Sequence, residues 1–193
     1  GYDMTYKNAT HTQLYIYDIQ TAVTQNLTAE LDAPVGDMAV ADVQQRVSTK
    51  PVLWTATNDL YFQLSTMGDV RLYYATLEGA IYPASPEEEH IYSFTIFKDG
   101  NRALATISNP TEPGELFNLD ISTGERTQLT SFNEALIQEV TLVLPEPIVF
   151  ETFDGQMVHG WIMKPAQFIE GESYPLIVEV HGGPHAMYAN TFF

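Results

Sequence analysis

The strongest constraint on this chain is a repeat. Leu72-Tyr-Tyr-Ala-Thr-Leu77 and Leu116-Phe-Asn-Leu-Asp-Ile121 are both alternating segments followed by a glycine-containing turn, and their starts at 72 and 116 lie 44 residues apart. Each is the third of four short strand patterns. The first set runs over 52–55, 60–65, 71–77 and 80–82, with turns at Met67-Gly68-Asp69 and Glu78-Gly79; the second over 91–97, 103–108, 116–121 and 126–130, with turns at Asp99-Gly100, Pro113-Gly114 and Thr123-Gly124. Asp-Gly and Glu-Gly between alternating runs are hairpin signals. Four strands recurring at roughly 40–45 residues describe one blade of a β-propeller, and favour that architecture over a sandwich. Leu14-Tyr-Ile-Tyr-Asp-Ile19, which turns at Gln20-Thr21 into a strand at 23–27, matches the same position 58 residues before 72, so an insertion is expected over 32–50. Because propellers typically close with four to eight blades, two blades and a part-blade imply that the chain is a portion of a larger protein.

Composition narrows the partners. Eight Lys plus Arg against 25 Asp plus Glu give a net charge of −17, which repels nucleic acid and anionic membranes, so neither is an expected partner. There is no cysteine, hence no disulfide framework, thiolate nucleophile or thiolate metal site. The first residues lack a basic start and apolar core, and no run approaches the roughly 20 apolar residues of a membrane span. A cytosolic setting is the expectation. The Pro86-Glu87-Glu88-Glu89 run falls between the blades and reads as a solvated connector, with a carboxylate pair that captures a peptide amino terminus as the alternative.

After the second blade the pattern changes. Residues 133–139 suit a short helical turn, and Pro145-Glu146-Pro147 ends the propeller-like part. A hairpin follows, 148–153 and 157–163 around Asp154-Gly155, and then Pro175-Leu-Ile-Val-Glu-Val180 runs into His181-Gly182-Gly183-Pro184. The apolar, β-branched run predicts a buried strand, and Pro184 forbids its continuation. Two glycines at a strand end are an ordinary turn or, with backbone N–H groups aimed at an anion, part of an oxyanion hole of the kind found after the third strand of α/β-hydrolases. Two hairpin strands, a loop and a strand ending in His-Gly-Gly match the start of such a sheet.

Three stretches carry a more specific resemblance: Glu146-Pro-Ile-Val-Phe-Glu-Thr-Phe-Asp-Gly155, His159-Gly-Trp-Ile-Met-Lys-Pro165 and Tyr174-Pro-Leu-Ile-Val-Glu-Val-His-Gly-Gly-Pro-His185. Together they resemble the propeller-to-hydrolase junction of the prolyl oligopeptidase family of serine peptidases, in particular its acylaminoacyl-peptidase-like members. The resemblance implies a mostly β fold, with the C-terminal blades of a propeller over 1–144 and the first strands of an α/β-hydrolase peptidase domain over 145–193. It also implies a peptidase whose propeller restricts access, so that short acylaminoacyl- or oligopeptides are the substrate partners. Gly183, flanked by Gly182, is the implied oxyanion-hole residue. No cofactor and no metal enter this reading, and homo-oligomerisation of the complete protein stays open.

The nucleophile is not in these residues. Ser-His-Asp acyl transfer needs a Ser on a Gly-x-Ser-x-Gly elbow followed by Asp and His. The nearest approach, Gly171-Glu-Ser173-Tyr-Pro175, has Pro where the second glycine belongs and precedes a strand. The triad is therefore expected beyond Phe193, and the chain alone is expected to be inactive. His181 and His185 are four apart, but the glycines and proline between them exclude the helix a zinc pair would need. His11, His90 and His159 have no acidic partner evident in the sequence, and Trp54 and Trp161 read as packing residues. Two rivals remain: a carboxylesterase on the same fold, and a propeller interaction module with a degenerate hydrolase domain.

Overall fold

The computed structural model of the chain describes residues 1, 4–6, 10–41, 52–183 and 185–193. Its first hairpin pairs β1 (Tyr15–Asp18) with β2 (Val23–Asn26). The Asp18 carboxylate accepts the backbone N–H groups of Gln20 and Thr21 at 2.8 and 3.0 Å, closing the turn. Those donors, that of Thr21 foremost, hold its carboxyl below the usual range.

Two four-stranded antiparallel units follow, as the repeat requires. The first comprises β3 (Val52–Trp54), β4 (Leu60–Thr66), β5 (Asp69–Ala75) and β6 (Ile81–Pro83); the second comprises β7 (His90–Ile96), β8 (Arg102–Asn109), β9 (Glu112–Asp120) and β10 (Arg126–Gln128). In each unit successive strands are hydrogen-bonded neighbours. The units meet at one parallel residue pair, Val70 on β5 with His90 on β7, where the Val70 N–H donates to the Glu89 carbonyl at 3.1 Å. This is a partial β-propeller, and its sheets do not close into a ring.

Alternation explains how the layers stack. On β4, Tyr61 joins one apolar cluster with Leu72, Ile91, Ala105, Ile107 and Leu119, while its neighbours Leu60, Phe62 and Leu64 join a second with Leu14, Leu27 and Val35. Successive strand residues face opposite sides, so the middle strand of the first blade is buried on both. One face meets the second blade and the other meets the β1–β2 hairpin and the segment after it. Phe62 and Leu72 are completely buried.

Three local expectations need correction. Pro113-Gly114 is not a turn: the chain reverses at Pro110-Thr111, and β9 already includes both residues. The register shifts between Ile107 and Asn109, so Pro113 sits at an irregularity, where a missing N–H is tolerated. The acidic run is a solvated connector only in part: Glu87 and Glu88 are exposed, but Glu89 is wholly buried against Arg126, and Glu87 pairs with Arg71 at 3.1 Å. Those contacts also leave Glu87 and Glu89 engaged with arginines, not as a free carboxylate pair. Finally, 175–180 pairs with no strand among the described residues, and Leu176, Ile177, Val178 and Val180 are exposed. An apolar run of strand-forming residues needs a neighbouring ladder to become a strand, and none of the described strands lies beside it.

The remaining elements match the sequence. Helix α1 spans Glu134–Glu139, and β11 (Glu146–Glu151) pairs with β12 (Met157–Ile162) from Glu146↔Ile162 to Glu151↔Met157. Of the insertion expected at 32–50, residues 42–50 lie outside the described ones. Its earlier part packs on β4 through an antiparallel bridge between Val35 and Leu64. No helix among the described residues is long and apolar enough to cross a membrane.

Candidate functional site

Gly182 and Gly183 lie on an exposed stretch just after the unpaired apolar run. Pro184, expected to stop the strand, lies outside the described residues. At Gly183 the backbone (φ 158°) folds so that a Cβ would sit 3.1 Å from the His185 nitrogen and 3.5 Å from that of Ala186. The first is main chain and tighter than ordinary contact, so a side chain here would require that backbone to give by a few tenths of an ångström. Gly182 meets no such obstacle. The Gly183 N–H has no acceptor among the described residues, and the residue is exposed.

Side chains on both flanks bracket the glycines. The Tyr188 hydroxyl donates to Glu179 at 2.8 Å, and its ring packs edge-on against His181 and Phe193 at 5.3 and 5.2 Å. His181 Nδ1 lies 2.8 Å from the Gly182 carbonyl, a contact it makes as a donor. His181 and His185 gather no carboxylate-rich shell: no group of three or more His, Asp or Glu suited to a metal occurs among the described residues.

Downstream of the loop the chain is moored to the propeller. Met187 bridges Ala39 in parallel, with its N–H donating to the Met38 carbonyl at 3.0 Å and its carbonyl accepting from Val40 at 2.9 Å. The Asn190 N–H donates to the Gly68 carbonyl and its side-chain amide to Asp69, each at 2.6 Å. Gly68 occupies the two-residue β4–β5 turn at φ 92°, next to Met67 at φ 50°, the positive pair that suits the twist of a tight hairpin. The Trp161 ring from β12 covers it so closely that a Cβ there would lie 2.5 Å from the indole. Trp161 thus packs as expected, whereas Trp54 is exposed.

The histidines correct the sequence reading. His11 Nε2 lies 3.7 Å from Asp32 at the surface. His90 is buried, with Nε2 2.8 Å from Asp37 Oδ2 and Nδ1 2.9 Å from Thr191 Oγ1. The Tyr92 hydroxyl reaches the same threonine oxygen at 2.9 Å. Sequence reasoning missed this group because its members are 53 and 101 residues apart, with no local motif to join them.

No family model matches the chain. Over 195 residues it is 39% identical to an uncharacterized peptidase, YuxL, of Bacillus subtilis (strain 168), across 97% of this chain and 29% of that protein. A solved acylaminoacyl peptidase in complex with Z-Gly-Gly-Phe-chloromethyl ketone superposes with a TM-score of 0.71 at 27% identity, covering 95% of this chain and 25% of the other. The orthorhombic form of the Pyrococcus horikoshii acylaminoacyl peptidase gives 0.69 at 26% identity over the same shares. The chain therefore spans between a quarter and a third of the length of these relatives. Paired blades, the hairpin after them and likeness along nearly the whole chain lead to one conclusion: the chain is similar to an acylaminoacyl-peptidase-like portion of the prolyl oligopeptidase family.

Proposed function

We propose that the complete protein containing these residues is a serine-type peptidase that cleaves short acylaminoacyl- or oligopeptides by Ser-His-Asp acyl transfer. In this reading residues 1–144 are propeller blades that restrict access, and 145–193 open the hydrolase domain. Gly183 N–H is one oxyanion donor, with Gly182 giving the loop its freedom. A cytosolic setting belongs to the same proposal. The observation that carries it is the Gly183 loop: an exposed glycine whose N–H has no acceptor among the described residues, at a position where a Cβ would sit tightly, 3.1 Å from the His185 nitrogen. The chloromethyl ketone peptide held by the similar acylaminoacyl peptidase supports a peptide as substrate class.

Chemically, attack on a peptide carbonyl moves negative charge onto its oxygen, and a fixed N–H stabilises that charge without reorganising. The nucleophile, base and acid are supplied by residues other than those present here, so the 193-residue chain alone turns over nothing. The test is Gly183→Pro in the complete protein, assayed on an acylaminoacyl chromophore with circular dichroism as the folding control. Deleting one such donor lowers kcat about 10²–10³-fold, or roughly 2.7–4 kcal/mol, with little change in KM. Gly183→Ala keeps the N–H but forces a Cβ toward the His185 nitrogen, so it too is expected to lower kcat, by less. A folded Gly183→Pro protein with near-normal kcat would remove this residue from the mechanism. A wild-type protein active only on simple esters would favour the carboxylesterase, and one active on neither would favour the interaction module.

A further inference from the structure

A buried imidazole must have both nitrogens satisfied, and the partners it takes show what it holds together. His90 is 1% exposed at the start of β7, where it forms the parallel ladder pair with Val70 of the first blade. Its Nε2 partner, Asp37, belongs to the segment before the first blade, and its Nδ1 partner, Thr191, lies eight residues after Gly183. The Tyr92 ring lies tilted against the imidazole, centroids 4.0 Å apart, and its hydroxyl meets Thr191 Oγ1. Both ring nitrogens are thus engaged, Nε2 with the Asp37 carboxylate and Nδ1 with the Thr191 hydroxyl, which also reaches Ser108 Oγ at 3.4 Å. Ser108, at the end of β8, completes the group by accepting the Phe192 N–H at 3.1 Å and donating to the Glu112 carbonyl at 2.8 Å.

An acid, an imidazole and a hydroxyl in line invite a catalytic reading, and burial excludes it. Thr191 is 3% exposed and its oxygen already meets two partners within 2.9 Å, so no carbonyl can approach it. What the group can do is hold position. Together with the Met187 and Asn190 bonds it ties 187–192 to the Ala39 segment, the β4–β5 turn, β7 and β8. Met187 is four residues from Gly183, so the mooring lies within about 14 Å of the loop along the chain. These contacts hold the loop from its downstream side.

We propose that Asp37, His90 and Thr191 form a latch by which the propeller sets the position of the Gly183 loop, making His90 and Thr191 positioning residues for the peptidase reaction. The catalytic half of this inference rests on the function proposed above; the mechanical half does not. Thr191→Val keeps the side-chain shape and removes the hydroxyl, and His90→Gln provides a second, independent break.

In the complete protein, hydrogen exchange at the Met187, Asn190 and Phe192 amides should quicken about tenfold in Thr191→Val, the equivalent of one or two net hydrogen bonds. Displacement of an oxyanion donor by a fraction of an ångström to 1 Å should lower kcat roughly 10–100-fold with KM nearly unchanged. Thr191→Ser should restore both, which a role in packing alone would not predict. Unchanged exchange in both Thr191→Val and His90→Gln overturns the latch. Faster exchange with unchanged kcat overturns the positioning role. If the wild type hydrolyses no peptide, the proposed function fails and the positioning role with it, while the exchange measurement still decides the latch.

Discussion

Removing Arg126 should cost far more than removing the charge it faces. Glu89 is 0% exposed, with Oε2 bonded to the Arg126 guanidinium and Oε1 buried without a partner. Burial pushes its carboxyl above the ordinary value, against the opposing pull of Arg126, Ser85 and Arg71. A raised carboxyl means the folded chain holds this proton more tightly than the unfolded one. Its contribution is therefore most favourable below the ordinary value of 4.5 and declines as pH rises through the raised folded value. Glu89→Gln, which removes a costly buried charge together with its ion pair, should shift stability by no more than about 1 kcal/mol at neutral pH. Arg126→Met leaves the carboxylate uncompensated and removes a guanidinium packed over the Phe117 ring, for a loss of about 3–5 kcal/mol. Protonation of the orphaned carboxyl limits that loss, so the deficit should shrink as pH falls toward 4.5. The double variant should recover most of it. Urea melts of the four proteins at neutral and acid pH provide the comparison. If Arg126→Met lost under about 1 kcal/mol at neutral pH, or Glu89→Gln lost as much as Arg126→Met, the reasoning would be refuted.

Gly68→Ala should strain the β4–β5 turn by about 1 kcal/mol and push the Trp161 indole into water, read as a red shift of emission in a Trp54→Phe background. Glu115 is also buried, but its accepted bonds from Thr130, Asn133 and Phe132 outweigh burial and set its carboxyl below the usual range. Glu115→Gln should accordingly cost about 1.5–3 kcal/mol at neutral pH. That difference is present above 4.5 and lost as pH falls through the lowered folded value, so equal stability of the two proteins at neutral pH would contradict it.

The blades were legible because a strand announces itself locally: residues 60–66 and 69–75 alternate, and Met67-Gly68 can adopt little but a tight hairpin turn. The same locality misled at Pro113-Gly114, where two turn-forming residues sit inside a strand at an irregularity. Residues 175–180 have strand chemistry, but no strand among the described residues pairs with them. The Gly183 loop could be found from His-Gly-Gly alone, but not the backbone that would crowd a side chain there. Glu89 looked solvated because its arginine partner is 37 residues away, and Asp37, His90 and Thr191 were invisible for the same reason. Short-range order is written in composition and spacing, whereas contacts between distant segments arise only once the layers have stacked.

The bond between His90 and Thr191 also sets a schedule for synthesis. A ribosome adding about 5–20 residues per second takes roughly 5–20 s to travel the 101 residues between them. Once Gln128 has been added the second blade can pair its strands, yet the imidazole at its junction with the first lacks the hydroxyl that completes its bonding. The nascent blades thus pass through a period in which His90 and Ser108 lack the cover of residues 191 and 192. Conditions that slow elongation between codons 90 and 191 lengthen that exposure without altering any residue of the finished protein.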